Sequence, residues 1–271
     1  MKNKWFVIPK PNINADLQLI CFPYAGGSAS TFLPWIKNLP VNVELIIIQA
    51  PGRGARMGEL AYSDMQALIE DLIKIIPSVL NKPYILFGHS LGSRIAFELM
   101  NQLKTLNHAL PQHFIASGSR GPHHKCMKDP IYNLTDDEFI EELKSLNGTP
   151  QAVIENKELM ELFLPLLKAD FEIADRYCYT GKVRFKCPIS VLGGEDDVDI
   201  CISKLNSWGD FFETDADVHL FPDNHFFIDS QSKLVQQKVN DIIKNCLNKL
   251  AVQRTVPNAQ VATGSSYLSV G

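Results

Sequence analysis

A serine between two glycines is the strongest chemical signal in the chain. The segment Gly88-His89-Ser90-Leu91-Gly92 follows an apolar run, Tyr84 to Phe87, and precedes a helical pattern. A serine at such a strand-to-helix turn has a strained backbone that exposes its hydroxyl, and a side chain at either glycine would collide with neighbouring backbone. We therefore predict that Ser90 is a nucleophile.

A serine hydroxyl needs a histidine to take its proton and a carboxylate to orient that histidine. In chains with this kind of serine turn, the acid and then the histidine follow the serine. Of the seven histidines, only His219 and His225 lie after the later strands. His219 is inside the apolar run Val218 to Phe221 and is predicted to be a strand residue. His225 follows that run in a turn, and we predict that it is the base.

The acid is expected in the loop after the preceding strand. The run Ile189 to Leu192 is followed by a loop with four carboxylates, Glu195, Asp196, Asp197 and Asp199. The mechanism requires one of them to accept the N–H of the His225 ring. The residues alone leave open which one does.

Two backbone N–H donors must stabilise the oxyanion that forms when a serine attacks a carbonyl. Leu91, the residue after the nucleophile, supplies the first. The second is expected from Cys21-Phe-Pro-Tyr-Ala-Gly-Gly-Ser28, a glycine-rich loop after an early strand. A glycine-rich turn can also bind a nucleotide phosphate, but Gly26-Gly27 matches neither Gly-x-Gly-x-x-Gly nor the Walker pattern.

The elements that must position these residues alternate between strand and helix. Continuous apolar runs predict parallel strands covered on both faces at Leu17 to Phe22, Leu45 to Ile48, Tyr84 to Phe87, Phe114 to Ala116, Ile189 to Leu192 and Val218 to Phe221. Helical spacing predicts helices at Met65 to Leu80, Leu91 to Leu106 and about Gln231 to Leu250. This order predicts an α/β fold, with a mostly parallel, doubly wound sheet and helices on both faces.

One interval, between Ser117 and Ile189, has no strand pattern over about seventy residues. Thr135 precedes acidic residues and is predicted to be a helix N-cap, and Leu159 to Leu167 is strongly apolar. From this pattern, extra core helices and a helical lid over the site are equally favoured. We expect one domain over residues 1–250, an insertion at about 120–180, and a flexible tail over 251–271.

Composition excludes several other classes of protein. The 271 residues include 26 Lys and Arg against 30 Asp and Glu, a net charge of −4, whereas nucleic-acid binders usually have a basic excess. The six cysteines are scattered singly, which argues against a disulfide scaffold and a zinc site and is typical of a reducing compartment. No run approaches the roughly 18 apolar residues of a membrane span, and the N-terminus lacks a signal-peptide core. We expect a cytoplasmic monomer that binds neither nucleic acid nor membrane.

Several segments together resemble the type II thioesterases that accompany nonribosomal peptide synthetases and polyketide synthases, within the α/β-hydrolase superfamily. They are Cys21 to Ser28, Ala50-Pro-Gly-Arg-Gly-Ala-Arg56, Gly88 to Gly92, Ser119-Arg-Gly-Pro-His123, Leu164-Pro-Leu-Leu-Lys-Ala-Asp-Phe171 and Asn224-His-Phe-Phe-Ile228. The nucleophile motif alone would indicate only a hydrolase. The Phe-Pro-x-Ala-Gly-Gly and Pro-Gly-Arg segments narrow the resemblance to this family.

The resemblance implies a role for each matching position. Ser90 would be the nucleophile, His225 the base, and Asp197, in a Gly-x-x-Asp context after Gly194, the acid. Ala25 and Leu91 would be the oxyanion donors. Departures from the family pattern are Tyr24, where histidine is common, Gly54, where an acid is common, and Asn224, where glycine is common.

The resemblance also implies a substrate, a partner and a lid. The substrate would be an acyl or aminoacyl thioester on the phosphopantetheine arm of a partner acyl or peptidyl carrier protein, and the inserted helices would form a lid over an acyl channel. No metal or bound cofactor would be needed. Two other functions share these residues, a general carboxylester hydrolase or lipase and a catalytically silent binding protein.

Overall fold

Seven strands form one sheet in the part of the chain that the structure describes, which is residues 3–125, 129–146 and 154–255 of a computed structural model. They are β1 (Phe6–Val7), β2 (Leu17–Phe22), β3 (Val43–Ile48), β4 (Tyr84–His89), β5 (His113–Ser117), β6 (Ile189–Gly194) and β7 (Asp217–Phe221). Their spatial order is β1-β3-β2-β4-β5-β6-β7. All neighbours are parallel except β1 and β3. The predicted, mostly parallel sheet is confirmed.

Helices cover both faces of this sheet. The α-helices of the described residues are α1 (Met65–Ile75), α2 (Leu91–Thr105), α3 (Asp136–Ser145), α4 (Lys157–Arg176), α5 (Ile202–Asn206), α6 (Phe227–Ser230) and α7 (Ser232–Thr255), of which α3 packs away from the sheet. Alternate residues of β2 show why its apolar run is continuous. Leu19 and Cys21 pack in the cluster that includes α7, whereas Ile20 and Phe22 pack in the cluster that includes α1 and α2. Each strand side chain therefore loses contact with water whichever face it occupies.

The first helix is shorter than its apolar pattern predicts. Asp64 caps α1 by accepting from the Ala67 N–H, and the helix ends at Ile75 rather than at Leu80. Pro77 is the reason, because proline has no N–H to donate to the preceding turn. The chain continues as a short 3-10 turn over Ile76–Ser78.

Helices α3 and α4 lie in the interval that has no strand pattern. Thr135 caps α3 as predicted, in a capping box with Glu138. The two helices have an apolar cluster of their own, which contains Phe139, Leu143 and Leu164. Residues 126–128 and 147–153 of the predicted insertion lie outside the described part of the chain.

Both ends of the chain differ from the sequence prediction. The antiparallel edge strand β1 was not predicted, because two residues are too short to show a period, and its pairing with Ile47 and Ile48 of β3 is a tertiary contact. Helix α7 continues past the predicted start of the tail at Ala251 to Thr255. Residues 256–271, the rest of the predicted tail, lie outside the described residues.

The described residues can be compared with two expectations from composition, the state of the cysteines and the absence of a membrane span. The cysteines there, Cys21, Cys178, Cys187, Cys201 and Cys246, are free thiols, and Cys126 lies outside them. No helix in the described ranges has the length and apolar character that crossing a membrane requires.

Candidate active site

The backbone turns sharply at Ser90, between the central strand β4 and helix α2. Ser90 has φ 52° and ψ −119°, a conformation that non-glycine residues rarely adopt. Its N–H donates to the carbonyl oxygen of Ser117 at the end of β5, over 2.7 Å. The turn therefore presents the Ser90 hydroxyl at the carboxyl edge of the sheet.

The two glycines of the motif are required by close packing. A Cβ atom on Gly88 would overlap Ser93 and the Gly92 carbonyl group, and one on Gly92 would overlap the carbonyl oxygens of Phe22 and Pro23. Helix α2 can thus begin against the end of β2 only if both positions lack a side chain. This explains the glycine spacing in physical terms.

His225 and Asp197 complete a chain of hydrogen bonds that begins at Ser90. His225 Nε2 lies 3.0 Å from Ser90 Oγ, and His225 Nδ1 lies 2.7 Å from Asp197 Oδ2. Asp197 follows β6, and His225 follows β7. Because both strands run parallel to β4, their loops meet the Ser90 turn at the same edge of the sheet. The three residues assigned from the resemblance are thus brought together.

The structure also separates Asp197 from the other acids of its loop. The Asp197 side chain is only 2% exposed, and its Oδ1 accepts the backbone N–H groups of Asp199 and Ile200. Burial by itself would raise the pKa of Asp197, but the hydrogen bond and charge of His225 and the two backbone donors outweigh it, so this pKa is lowered. Glu195, Asp196 and Asp199 are exposed. Asp197 is therefore placed to hold the His225 ring as an ionised partner.

Two other histidines, His219 and His89, lie close to the candidate residues in sequence, and the structure gives them different surroundings. His219 lies in β7, as predicted, with Nε2 2.8 Å from Asp217 Oδ2. His89, which sequence reasoning passed over, is fully buried, with Nδ1 2.9 Å from Ser117 Oγ and Nε2 3.1 Å from the His225 carbonyl oxygen. Burial, with the nearby charge of His225, holds the pKa of His89 well below its ordinary value. A neutral His89 can thus hold the backbone of His225 in place through the contact of its Nε2 with the His225 carbonyl oxygen.

A buried ion pair connects the glycine-rich loop to helix α4. Arg53 donates two hydrogen bonds to Asp170, with Nη1 2.9 Å from Oδ2 and Nη2 2.8 Å from Oδ1. Asp170 Oδ2 also accepts the Gly26 N–H over 2.7 Å, and Arg53 Nη1 donates to the Gly27 carbonyl oxygen. The side chains are 8% and 2% exposed. Sequence reasoning missed this pair, although each partner lies in a segment quoted for the resemblance.

A pocket opens beside the Ser90 hydroxyl. Its volume is about 960 Å³ when its open mouth is included, and its wall contains Ala25 and Leu91, the two residues assigned as oxyanion donors. The apolar part of the wall comes largely from the inserted helices, with Leu143 of α3 and Leu167, Phe171 and Ala174 of α4. The pocket can therefore hold an apolar chain whose carbonyl group lies at Ser90. Within the described ranges, no group of three or more His, Cys, Asp or Glu residues could hold a metal ion.

The sheet, the strained serine turn and the acid and histidine from later loops define an α/β hydrolase. The chain matches the thioesterase domain family over residues 17–246, and it belongs to that family. Membership makes it a thioester hydrolase, and the resemblance stated from the sequence is confirmed.

Three relatives illustrate the similarity. The gramicidin S biosynthesis protein GrsT of Aneurinibacillus migulanus is 38% identical over 226 residues, which cover 83% of this chain and 88% of GrsT. The solved structure of BorB, a type II thioesterase from the borrelidin biosynthetic cluster, superposes with a TM-score of 0.80 at 27% identity, covering 88% of this chain and 96% of BorB. Another relative is named linear gramicidin dehydrogenase LgrE, from Brevibacillus parabrevis, and is 34% identical over 253 residues, which cover 92% of this chain and 95% of LgrE.

Replacing Gly92 with alanine should test the close approach of α2 to β2. We expect Gly92→Ala to lower the free energy of unfolding by about 1–3 kcal/mol, because the new methyl group displaces the backbone at Phe22 and Pro23. Gly58→Ala is the matched control, since a Cβ atom there meets nothing within 4 Å. Urea unfolding measures both, and equal effects of the two variants would contradict the packing argument.

Replacing Asp170 with asparagine should show the cost of leaving Arg53 buried without its carboxylate. We expect Asp170→Asn to lower the free energy of unfolding by about 3–5 kcal/mol. Glu172→Gln on the same helix is the control, because the Arg176–Glu172 pair is 63% and 26% exposed and such pairs contribute about 1 kcal/mol or less. Urea unfolding measures both variants, and an equal loss of unfolding free energy in the two would refute the prediction.

Proposed function

We propose that this enzyme hydrolyses acyl or aminoacyl thioesters from the phosphopantetheine arms of carrier proteins in nonribosomal peptide or polyketide biosynthesis. The single observation that carries the proposal is the chain of hydrogen bonds from Ser90 through His225 to Asp197. The biosynthetic setting is supported by GrsT, named for gramicidin S biosynthesis, and by BorB, from a borrelidin cluster.

In the proposed mechanism, Ser90 Oγ attacks the thioester carbonyl carbon while His225 Nε2 takes its proton. Asp197 keeps the N–H of the imidazole at Nδ1 and stabilises the imidazolium that forms. The backbone N–H groups of Leu91 and Ala25 stabilise the oxyanion, an effect worth about 3–4 kcal/mol per donor at comparable sites. His225 then gives its proton to the departing thiolate, which leaves an acyl group on Ser90.

Water completes the reaction. His225 takes a proton from a water molecule, the resulting hydroxide attacks the acyl-serine carbonyl group, and the carboxylic acid leaves as Ser90 recovers its proton. The proposed steps use no metal or cofactor. In a synthetase, this reaction would remove stalled or wrongly loaded acyl groups. That the enzyme is a monomer and lies in the cytoplasm stays a prediction.

The arrangement of α3 and α4 supports the proposal that they form a lid. Both helices supply apolar residues to the pocket wall beside Ser90, and they have an apolar cluster of their own apart from the two clusters of the sheet. The buried Arg53–Asp170 pair sets the position of α4 relative to the loop of Ala25. We propose that the lid position and the direction of the Ala25 N–H group are coupled through this contact.

Substitutions in the hydrogen-bonded chain should separate the roles of its members. We expect Ser90→Ala to lower kcat on an acyl-carrier thioester by about 10⁴-fold or more, because the nucleophile is lost. Asp197→Asn should cost about 10⁴-fold, since an asparagine favours the wrong tautomer of His225. Asp196→Asn, an exposed neighbour, is the control. Steady-state hydrolysis measures all three variants, with folding checked by circular dichroism. An active Ser90→Ala enzyme would refute the assignment of Ser90 as the nucleophile.

Matched substrates should distinguish the proposed function from its alternatives. The same octanoyl group is offered as an oxygen ester, as a coenzyme A thioester and on a phosphopantetheine-loaded carrier protein. We expect kcat/KM to be highest for the carrier-bound thioester, because the partner adds contacts outside the pocket. A preference for the oxygen ester would favour a carboxylester hydrolase or lipase. No hydrolysis, with no fluorophosphonate adduct on Ser90, would favour a silent binding protein.

A further inference from the structure

One side of the acyl pocket is polar and buried. Arg94 and Arg120, which line it, are 3% and 7% exposed, and Asp175 of α4 lines the same pocket. Arg94 lies in the first turn of α2, which begins directly after Ser90, and both residues line this pocket. A pocket that held only hydrocarbon would leave these charges facing an apolar ligand, which is unfavourable.

One carboxylate oxygen of Asp175 accepts hydrogen bonds, and the other has no hydrogen-bond partner. Its Oδ2 accepts the N–H groups of Ile131 and Tyr132, over 2.9 and 3.4 Å, and so holds the chain before α3. Its Oδ1 is buried and has no hydrogen-bond partner. A buried acceptor left unsatisfied carries a desolvation penalty, which a ligand that donates a hydrogen bond would remove.

The two arginines determine what kind of donor fits. Arg94, Arg120 and Asp175 all line the same pocket. Burial raises the pKa of Asp175, while the charges of Arg120 and Arg94 act in the opposite direction. Arg94 also donates to the Ala174 carbonyl oxygen over 3.1 Å, which holds it in the pocket wall. An ammonium group bound at Asp175 would meet two positive charges against one negative charge. A neutral hydroxyl group can donate to the carboxylate without that repulsion.

We propose that Asp175 Oδ1, with Arg94 and Arg120 beside it, is a subsite for a hydroxyl group near the thioester end of the acyl chain. The subsite makes β-hydroxyacyl groups better substrates than unsubstituted or β-amino acyl groups of the same length. This inference rests on the proposed hydrolysis at Ser90 and names the substrate class of that site. Asp175 is in this sense a specificity-determining residue, since it contacts the substrate away from the reacting atoms.

The test compares octanoyl, β-hydroxyoctanoyl and β-aminooctanoyl thioesters of pantetheine with the full-length enzyme. We expect kcat/KM for the β-hydroxy substrate to exceed that for the plain one by roughly tenfold, the effect of one hydrogen bond to a buried charge. The β-amino substrate should be the poorest of the three. Equal kcat/KM for the first two substrates, or a preference for the β-amino one, would overturn the proposal.

Variants assign the preference to Asp175. In Asp175→Ala, the ratio of kcat/KM for the β-hydroxy and plain substrates should fall to about one, because the acceptor is gone. The ratio is internal to each variant, so a loss of folded enzyme does not change it. Asp175→Asn keeps an acceptor for Ile131 and Tyr132 and should give an intermediate ratio.

The control is Asp196→Ala, which removes an exposed carboxylate that does not line the pocket and should leave the ratio as in the unmodified enzyme. An unchanged ratio in Asp175→Ala would overturn the assignment. Failure of the proposed function has a different signature, namely that neither these three thioesters nor the octanoyl thioester on a carrier protein is hydrolysed.

Discussion

The strained turn at Ser90 is the constraint on which the rest of the site depends. It lies at the end of β4, which pairs with β2 on one side and β5 on the other, so the turn is near the middle of a parallel sheet. The loop after β2 then lies beside it, and the loops after β6 and β7 reach it from the other side. The hydrogen bond from the Ser90 N–H to Ser117 helps to hold a backbone conformation that serine does not favour. The sheet therefore provides the rigidity that the hydroxyl group needs to meet His225 in a fixed direction.

A second constraint comes from outside the sheet. Helix α4 belongs to the interval between β5 and β6, yet its Asp170 accepts the Gly26 N–H and pairs with Arg53. Buried ion pairs often contribute little net stability, because desolvation offsets their attraction, but breaking one is costly. Such a pair specifies one arrangement of the glycine-rich loop and the helix. The inserted helices and the sheet are joined at the point where the reacting carbonyl group would lie.

The pocket combines two kinds of wall with different consequences. Leu143, Leu167 and Phe171 give an apolar surface, which suits the hydrocarbon part of the proposed acyl substrate. Arg94, Arg120 and Asp175 give a buried polar surface, and the unsatisfied Oδ1 of Asp175 discriminates by hydrogen bonding. A mixed wall suits an enzyme that accepts many acyl chains and still favours one class of substituent. The same inserted helices contribute to both surfaces.

The sequence by itself determined the strands and singled out Ser90 and His225 as the candidate nucleophile and base, because these inferences depend on neighbours along the chain. Continuous apolar runs indicate strands buried on both faces, and the glycines around Ser90, followed by a histidine after the last strand, indicate the chemistry. Two elements departed from these patterns for local reasons: β1 is too short to show a period, and α1 ends at Ile75 because Pro77 follows. The choice among four acids was different. The residues of that loop left it open, the resemblance favoured Asp197, and the tertiary structure placed only Asp197, of the four, against the His225 ring. Arg53 with Asp170, and Asp175 with its two arginines, were also decided by tertiary structure alone. Each of these contacts joins segments far apart in sequence, and no local periodicity records which distant charges or donors will share one buried volume.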